Sequence, residues 1–336
     1  MKKFWGHLLR WIVPLAFSGI AIALILNQIQ LSDFIENFSR VRWVWIAAAV
    51  LLFLLSYIFR VFCWYILLRK KVSFRDTFFT MGAGYLLNNI FPFRLGEIGR
   101  AVLQADPEGP TAIEVLSSVV VERVFDVFLG SIFFLSMLPR VVSGEFNQTL
   151  IVLAVVIAAI GMIVMYAAAR FQNRINVWLS HWGERRGFIK NWLAPKLEQF
   201  LIGLSVLNNP RLFLLAFGSL GLSWIIAFGE NYVIFQNLYP SPPLWWMVLI
   251  LSAAAFGMAL PSVPAGFGLF EGVMVGAFAL VGVSPDLAFT HAIIIHAISF
   301  IFSNLIGLVG LKLRGEAVIS FYNRVIHQSP TAAISE

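Results

Sequence analysis

Charged residues and cysteine are both scarce in this chain. Charged residues make up 12% of its 336 positions, which is about half the share found in an ordinary soluble domain. A large soluble core inside a charged shell is therefore excluded. The only cysteine, Cys63, excludes an intrachain disulfide and a cysteine-based metal cluster. Hydrophobic residues make up 60% of the chain, and this composition predicts an integral membrane protein.

The common motifs of catalysis and nucleotide binding are also missing. The sequence contains no G-x-x-x-x-G-K-[ST] loop, no H-E-x-x-H pair and no G-x-S-x-G elbow. These absences argue against ATP-driven transport, zinc-dependent hydrolysis and serine-hydrolase chemistry. We therefore predict no catalytic residue, no metal site and no cofactor, and a protein that is not an enzyme is the favoured interpretation.

The net charge of +7 has a simple explanation in a membrane protein. Basic residues collect in cytoplasmic loops, so the charge does not predict a nucleic-acid partner. They precede the first apolar run and follow the second, the fourth and the last: Lys2, Lys3, Arg10; Arg69, Lys70, Lys71, Arg75; Arg174, Arg185, Arg186, Lys190, Lys196; Lys312, Arg314, Arg324. This distribution predicts a multi-pass protein of the cell membrane with both termini in the cytoplasm and anionic lipid headgroups at that face.

Six apolar stretches are long enough to cross a bilayer, which takes about 20 residues each. They are residues 11–28, 43–68, 111–138, 148–169, 212–238 and 287–311. The polar stretch 170–209 interleaves basic residues with tryptophan, which predicts a cytoplasmic, partly interfacial amphipathic segment, with a solvated loop as the alternative. No soluble domain fits between the spans, so residues 1–336 are predicted to form a single integral membrane domain.

Two further apolar regions, 73–104 and 244–283, are interrupted by proline and glycine near their middles. Proline removes a backbone donor and glycine permits a tight turn. The residues at these breaks are Pro92, Gly96, Pro261, Pro264, Gly266 and Gly268. The pattern predicts an all-α, polytopic transmembrane bundle with two re-entrant hairpins that enter from opposite sides and form a possible inverted repeat. Hydropathy alone equally allows each broken region to cross twice.

Polar side chains concentrate beside these breaks and inside the span 111–138. Glu122 and Asp126 are four residues apart, which places them on one helical face. Charges at that depth are costly and face a partner or a wet cavity, so Arg123 could equally belong to a structural ion-pair cluster. Arg60 is expected to reach the interface, and His296 to form a hydrogen bond between helices. The candidate substrate-binding residues are Asn88, Asn89, Arg94, Glu97, Arg100, Glu122, Arg123, Asp126 and Glu271.

Three motifs together resemble a known family. Residues 88–100, 121–126 and 260–271 are similar, in order, to the membrane domain of lysylphosphatidylglycerol synthases, which also occurs as stand-alone UPF0104-type proteins. The resemblance implies a flippase-like domain that moves a lipid between leaflets. No counterpart of the synthases' soluble lysine-transferring domain is present in these 336 residues, so the resemblance does not extend to aminoacyl transfer.

We therefore expect a transporter whose substrate is a membrane lipid, either a polar-headed phospholipid or a lipid-linked glycan precursor. Glu97 and Glu271 would contact a cationic or hydroxyl-rich headgroup, the arginines would hold its phosphate, and the asparagines would supply neutral hydrogen bonds. The alternative is a membrane enzyme, or the membrane half of an aminoacyl or glycosyl transferase. A third interpretation is a structural protein whose buried charges only join helices. The oligomeric state stays open.

Overall fold

The computed structural model describes residues 15–16, 18–24, 27, 29–91, 95–141, 146–183, 193–258 and 263–328. This part of the chain is helical and contains no strand, which confirms the predicted all-α fold. Its α-helices are α1 (Leu31–Arg40), α2 (Trp43–Leu67), α3 (Phe74–Ile90), α4 (Gly96–Gln104), α5 (Ala112–Met137), α6 (Phe146–Arg170), α7 (Gln172–Gly183), α8 (Ala194–Leu204), α9 (Pro210–Leu238), α10 (Leu244–Gly257), α11 (Leu269–Ala279), α12 (Pro285–Leu313) and α13 (Val318–Gln328). Short 3₁₀ turns cover Leu138–Arg140, Ser205–Asn208 and Pro264–Gly266.

Three of the described helices, α2, α9 and α12, are long and apolar enough to cross a membrane. This finding supports a membrane location for the chain. Helices α5 and α6 coincide with two further predicted spans, 111–138 and 148–169. Residues 15–16 and 18–24 are helical and fall within the first predicted span, whose first four residues lie outside the described part.

Local capping explains where several helices begin. The Ser73 side chain accepts the backbone N–H of Asp76 at the start of α3, and Thr111 accepts that of Glu114 at the start of α5. Asn209 accepts two backbone N–H groups before α9, which also has proline at its first position. Each cap satisfies donors that have no partner within the helix, so these boundaries are set by adjacent sequence.

The first broken region folds back on itself as a hairpin. The guanidinium of Arg314 donates to the Leu103 carbonyl on α4 at 2.8 Å and to Thr80 Oγ1 on α3 at 2.9 Å, which ties the returning helix to the incoming one. Helix α4 has 9 residues and is about 14 Å long, well short of the roughly 30 Å hydrocarbon layer. Helix α4 is therefore too short to cross the membrane by itself, which agrees with the re-entrant interpretation.

The second broken region has the same form. Helices α10 and α11 contain 14 and 11 residues, about 21 and 17 Å in length, and pack against each other. Met247 and Ile250 of α10 share a core with Met274 and Phe278 of α11. The two hairpins are thus present as predicted, whereas their entry from opposite membrane faces stays a prediction.

Glycine is required at both breaks for steric reasons. A Cβ at Gly96 would lie 2.1 Å from the Gly84 carbonyl oxygen, so α4 could not begin so close to α3 with any other residue. Gly268 precedes α11 with φ of +81°, and a Cβ there would also approach the Ser18 carbonyl oxygen to 2.8 Å. Pro264 and Gly266 form the 3₁₀ turn of the second break. Pro92 and Pro261 lie outside the described residues.

Helix α12 packs against both hairpins and holds them together. It contacts α3 of the first hairpin and α11 of the second. Gly82 and Gly307 allow the close approach of α3 and α12, since a Cβ at Gly307 would lie 2.5 Å from the Gly82 carbonyl oxygen. Helix α3 also contacts the Pro264–Gly266 turn, so the two hairpins meet directly.

The described part of the polar stretch 170–209 is helical except at Phe171 and Asn209. Helix α7 covers its first part and α8 its second, with residues 184–192 outside the described part. Helix α8 packs closely on α5, because a Cβ at Gly203 would overlap Ser117. The described portion is therefore not an irregular loop, and its position at a membrane interface stays a prediction.

Candidate functional site: a buried charge network

Three helices bring charged side chains together beside the first hairpin. Three arginines and three acids take part: Arg60 from α2, Glu97 and Arg100 from α4, and Glu122, Arg123 and Asp126 from α5. Positive and negative charges balance, which lowers the cost of placing them among apolar helices.

The innermost pair joins the first hairpin to α5. Arg100 Nη2 lies 2.5 Å from Glu122 Oε2, and both side chains are buried. The guanidinium carbon of Arg100 sits 3.8 Å from the centre of the Trp64 ring, a cation–π distance. Trp64 is itself fixed by a 3.0 Å hydrogen bond from its Nε1 to Ser118 Oγ. The deepest arginine is thus held by an acid and an aromatic face.

The middle pair uses Arg60, which binds Asp126 through two hydrogen bonds of 2.6 and 2.9 Å. Arg60 Nη1 also lies 3.3 Å from Glu122, and Trp224 Nε1 donates to Asp126 Oδ1 at 3.1 Å. The prediction that Arg60 reaches the interface is wrong. The bidentate carboxylate on α5 holds it inside the bundle instead. Glu122 and Asp126 share one helical face, as predicted.

The outer pair is looser and more exposed. Arg123 lies 3.4 Å from Asp126 and 3.7 Å from Glu97 Oε1, distances at the edge of, or beyond, a hydrogen bond. Its side chain is 41% exposed and that of Glu97 is 24% exposed, against 2% and 0% for Arg100 and Glu122. The network therefore has a closed inner end and an open outer end.

Several buried polar atoms of the network have no hydrogen-bond partner among the described residues. They are Glu97 Oε2, Arg100 Nε and Nη1, and Arg123 Nε. Buried polar groups are nearly always satisfied, so these unsatisfied donors and acceptors within one network are candidates for binding a polar ligand. Guanidinium donors suit phosphate oxygens, and the Glu97 oxygen suits an amine or a hydroxyl.

The two predicted asparagines have partners within the protein. Asn88 Oδ1 accepts the backbone N–H of Gly96 at 2.7 Å, which closes the first hairpin. Asn89 Nδ2 donates to Ser303 Oγ at 3.2 Å and to Asn304 Oδ1 at 3.0 Å on α12. Both amides thus hold the hairpin in place in this conformation, and their contact with a headgroup stays a prediction.

Glu271 belongs to the second hairpin, apart from the network. Its Oε1 lies 2.5 Å from His296 Nδ1 on α12, and its Oε2 accepts the backbone N–H of Gly268 at 2.7 Å. His296 thereby joins two helices, as the sequence predicts. A second histidine on α12, His291, lies 3.0 Å from Asn231 of α9.

The structure therefore brings five of the nine candidate residues into one network: Glu97, Arg100, Glu122, Arg123 and Asp126. Arg94 lies outside the described residues. Sequence reasoning missed Arg60, Trp64 and Trp224. The spacing of Arg60 and Trp64, one helical turn apart on α2, was the available signal for a shared polar face.

Comparisons with known proteins agree with this architecture. The family model described as "Lysylphosphatidylglycerol synthase TM region" matches residues 11–307. A UPF0104 membrane protein of Methanothermobacter thermautotrophicus is 26% identical over 243 residues, covering 70% of this chain and 68% of the relative. Another UPF0104 membrane protein of that organism is 24% identical over 334 residues, covering 92% of each chain. The chain therefore belongs to the family of the lysylphosphatidylglycerol synthase transmembrane region.

Proposed function

We propose that this protein is a lipid flippase that moves a polar-headed phospholipid or a lipid-linked glycan precursor between leaflets. Membership of a membrane family supports the proposal, together with two broken hairpins that meet inside the bundle. The observation that carries it is the open end of the charge network. There Arg123 is loosely paired with Glu97, and Glu97 Oε2 and Arg123 Nε have no hydrogen-bond partner among the described residues.

A headgroup would enter the network by replacing one charged side chain as the partner of another. Phosphate oxygens would replace Glu97 on Arg123, since the present 3.7 Å contact is weak. Glu97, once released, would accept a hydrogen bond from an amine or hydroxyl of the same headgroup. Arg100 lies one layer deeper and would take the phosphate at the next stage, while the acyl or isoprenoid tails stay in lipid. Arg94 and Glu271 are proposed as further contacts along this route.

Lipid movement in vesicles tests the proposal. Purified protein in liposomes would be given fluorescent phosphatidylglycerol or a fluorescent polyprenyl phosphate, and the outer-leaflet dye reduced with dithionite. Glu97→Gln and Arg123→Gln should slow movement of the accepted probe on the order of tenfold, the effect of losing about 1.4 kcal/mol of charge-assisted binding. Arg324→Gln is the matched control, because Arg324 pairs with Glu316 and neither residue belongs to the network.

Two results would count against this function. Equal rates in wild type and both network variants would remove the network from the transport route. A new lipid product, formed when purified protein is given lipid and an aminoacyl or glycosyl donor, would favour the enzyme alternative over the flippase.

The proposed setting is the cell membrane with both termini in the cytoplasm. Helices α2 and α3 are joined by a basic turn whose Lys71 pairs with Glu114 and whose Arg69 donates to Ser205. Lys70 and Arg75 carry no ion pair among the described residues, so they would be available to anionic headgroups at this face. No nucleic-acid partner is proposed.

A further inference from the structure

A carboxylate–imidazole pair is buried where the second hairpin meets α12. Glu271 and His296 are 3% and 7% exposed, and their Oε1 and Nδ1 atoms lie 2.5 Å apart. On the other side of the ring, His296 Nε2 lies 3.1 Å from the backbone carbonyl oxygen of Ala265, in the turn of the hairpin. The imidazole therefore bridges the helix and the turn of one broken segment.

The number of protons at this pair follows from its partners. A carboxylate oxygen and a carbonyl oxygen both accept hydrogen bonds, and a neutral imidazole has only one N–H to give. Both contacts are satisfied if the ring carries a proton on each nitrogen beside an ionised Glu271, or if a protonated Glu271 donates to Nδ1 while the ring donates from Nε2; in either case the pair holds two protons. The other Glu271 oxygen already accepts the Gly268 N–H at the start of α11, which favours the ionised form of the acid.

We propose that His296 and Glu271 form a proton-binding site that holds the second hairpin closed. In the closed state an imidazolium donates from Nδ1 to the Glu271 carboxylate and from Nε2 to the Ala265 carbonyl. On opening, the Nε2 proton passes to water and the Nδ1–H bond to Glu271 remains. The Nε2 lone pair then faces the Ala265 oxygen, and the turn loses its attachment to α12.

The surroundings isolate this pair from other charges. Phe267 and Phe270 flank the imidazole ring, with ring centres 4.9 and 4.8 Å away. Within the described chain, Glu271 is the one ionisable group in ion-pair contact with His296. The titratable groups on neighbouring helices lie in other contacts: His291 with Asn231, Arg60 with Asp126, Tyr85 beside Tyr57, and Glu230 with its Oε1 unpartnered among the described residues.

The turn itself is poised to move once it is released. Ala265 has φ of +59°, a left-handed conformation that a residue with a Cβ adopts only when its surroundings impose it. The His296 bond to its carbonyl is one such constraint. Since α3 of the first hairpin contacts this same turn, release would loosen the junction between the two hairpins. On the proposed function, on which this step rests, proton loss would open the lipid route.

Distance measurement between the hairpins tests the site without any lipid substrate. Spin labels at Ile90→Cys and Val263→Cys, in a Cys63→Ala background, report on the junction in reconstituted protein. When the pH is raised from about 5 to about 8, the share of molecules with a longer distance between the labels should increase. His296→Gln and Glu271→Gln should abolish that dependence. His291→Gln, which changes the other buried histidine of α12, should keep it.

Two outcomes would overturn the proposal: a distance that does not change with pH in the wild type, or the same pH dependence in His296→Gln and Glu271→Gln. A separate measurement of fluorescent-lipid movement under an imposed pH gradient distinguishes this result from failure of the proposed function. A pH-dependent junction without lipid movement retains the proton site and rejects the flippase. Lipid movement with a pH-independent junction retains the flippase and rejects the proton site.

Discussion

At the scale of single residues, the most constrained contact is the pair of Arg100 and Glu122. Both side chains are almost fully buried, and Arg100 has no other acid within ion-pair distance among the described residues. Removing one partner of a buried pair leaves an uncompensated charge, which costs more than the pair itself contributes. The stability of the bundle therefore depends on this contact more than on the exposed ion pairs.

Replacing Glu122 by glutamine tests that dependence. The variant should lose about 3–5 kcal/mol of stability, because the Arg100 charge stays buried without its counter-ion. Denaturant or thermal unfolding of the purified protein in detergent measures the change. Glu316→Gln, at an ion pair with a more exposed arginine, should lose no more than about 1 kcal/mol. A similar loss of stability in the two variants would contradict the special importance of the Arg100–Glu122 pair.

A second test at this scale concerns the two tryptophans of the network. Trp64 stacks on Arg100, and Trp224 donates to Asp126. Trp224→Phe keeps the aromatic volume but removes the indole N–H. We expect a loss of about 1–3 kcal/mol from the missing hydrogen bond to a charged group, although Arg60 still donates to the same oxygen. Unfolding experiments beside Trp43→Phe, which changes a tryptophan that is 82% exposed at the start of α2, provide the comparison. Equal stability of both variants would show that the indole bond is dispensable.

At the scale of elements, features set by local sequence could be predicted, whereas contacts between helices could not. The apolar lengths of α2, α9 and α12 and the proline and glycine breaks are local signals, so the spans and the hairpins were predictable. The pairing of Arg60 with Asp126 was not, because it depends on how α2 packs against α5, which no local pattern encodes. The same holds for His296, whose hydrogen bonding was predictable but whose partners Glu271 and Ala265 were not.

The close packing of α3 and α12 gives a prediction about small residues. A Cβ at Gly307 would lie 2.5 Å from the Gly82 carbonyl oxygen, which is backbone and cannot rotate away. Gly307→Ala should therefore separate the helices and cost about 1–3 kcal/mol. Gly221→Ala on α9, where a Cβ meets nothing within 4 Å, should be neutral or slightly stabilising. Unfolding of both variants in detergent measures the difference in stability. Equal stability would argue against tight packing at Gly307.

At the scale of the whole molecule, the long apolar helix α2 determines which segments lie at opposite faces of the bundle. This apolar helix separates α1 at its start from the basic turn at its end. Helix α1 also sits near the beginning of α12, because the Gln30 backbone N–H donates to Asp286 at 2.8 Å and Phe34 packs against Phe289. The starts of two long helices therefore share one face of the bundle, opposite the basic turn.

Labelling from one side of the membrane tests this arrangement. In a Cys63→Ala background, Asp33→Cys should react with an impermeant maleimide added outside right-side-out vesicles, since α1 lies at the outer face in the proposed topology. Lys70→Cys should react only after the vesicles are opened. The reverse pattern would invert the orientation, and equal labelling of both sites in sealed vesicles would contradict the crossing by α2.

The shortness of α4 has a consequence for how the chain is made. A nine-residue helix carrying Glu97 and Arg100 is too short and too polar to be stable in lipid by itself. The counter-ion of Arg100 lies on α5, which leaves the ribosome later. We therefore expect the first hairpin to insert into the bilayer only after α5 is synthesised, and to remain at the membrane surface or inside the insertion machinery before that. Chains truncated before Glu122 should accordingly leave this hairpin open to proteases, whereas chains that extend through α5 should protect it.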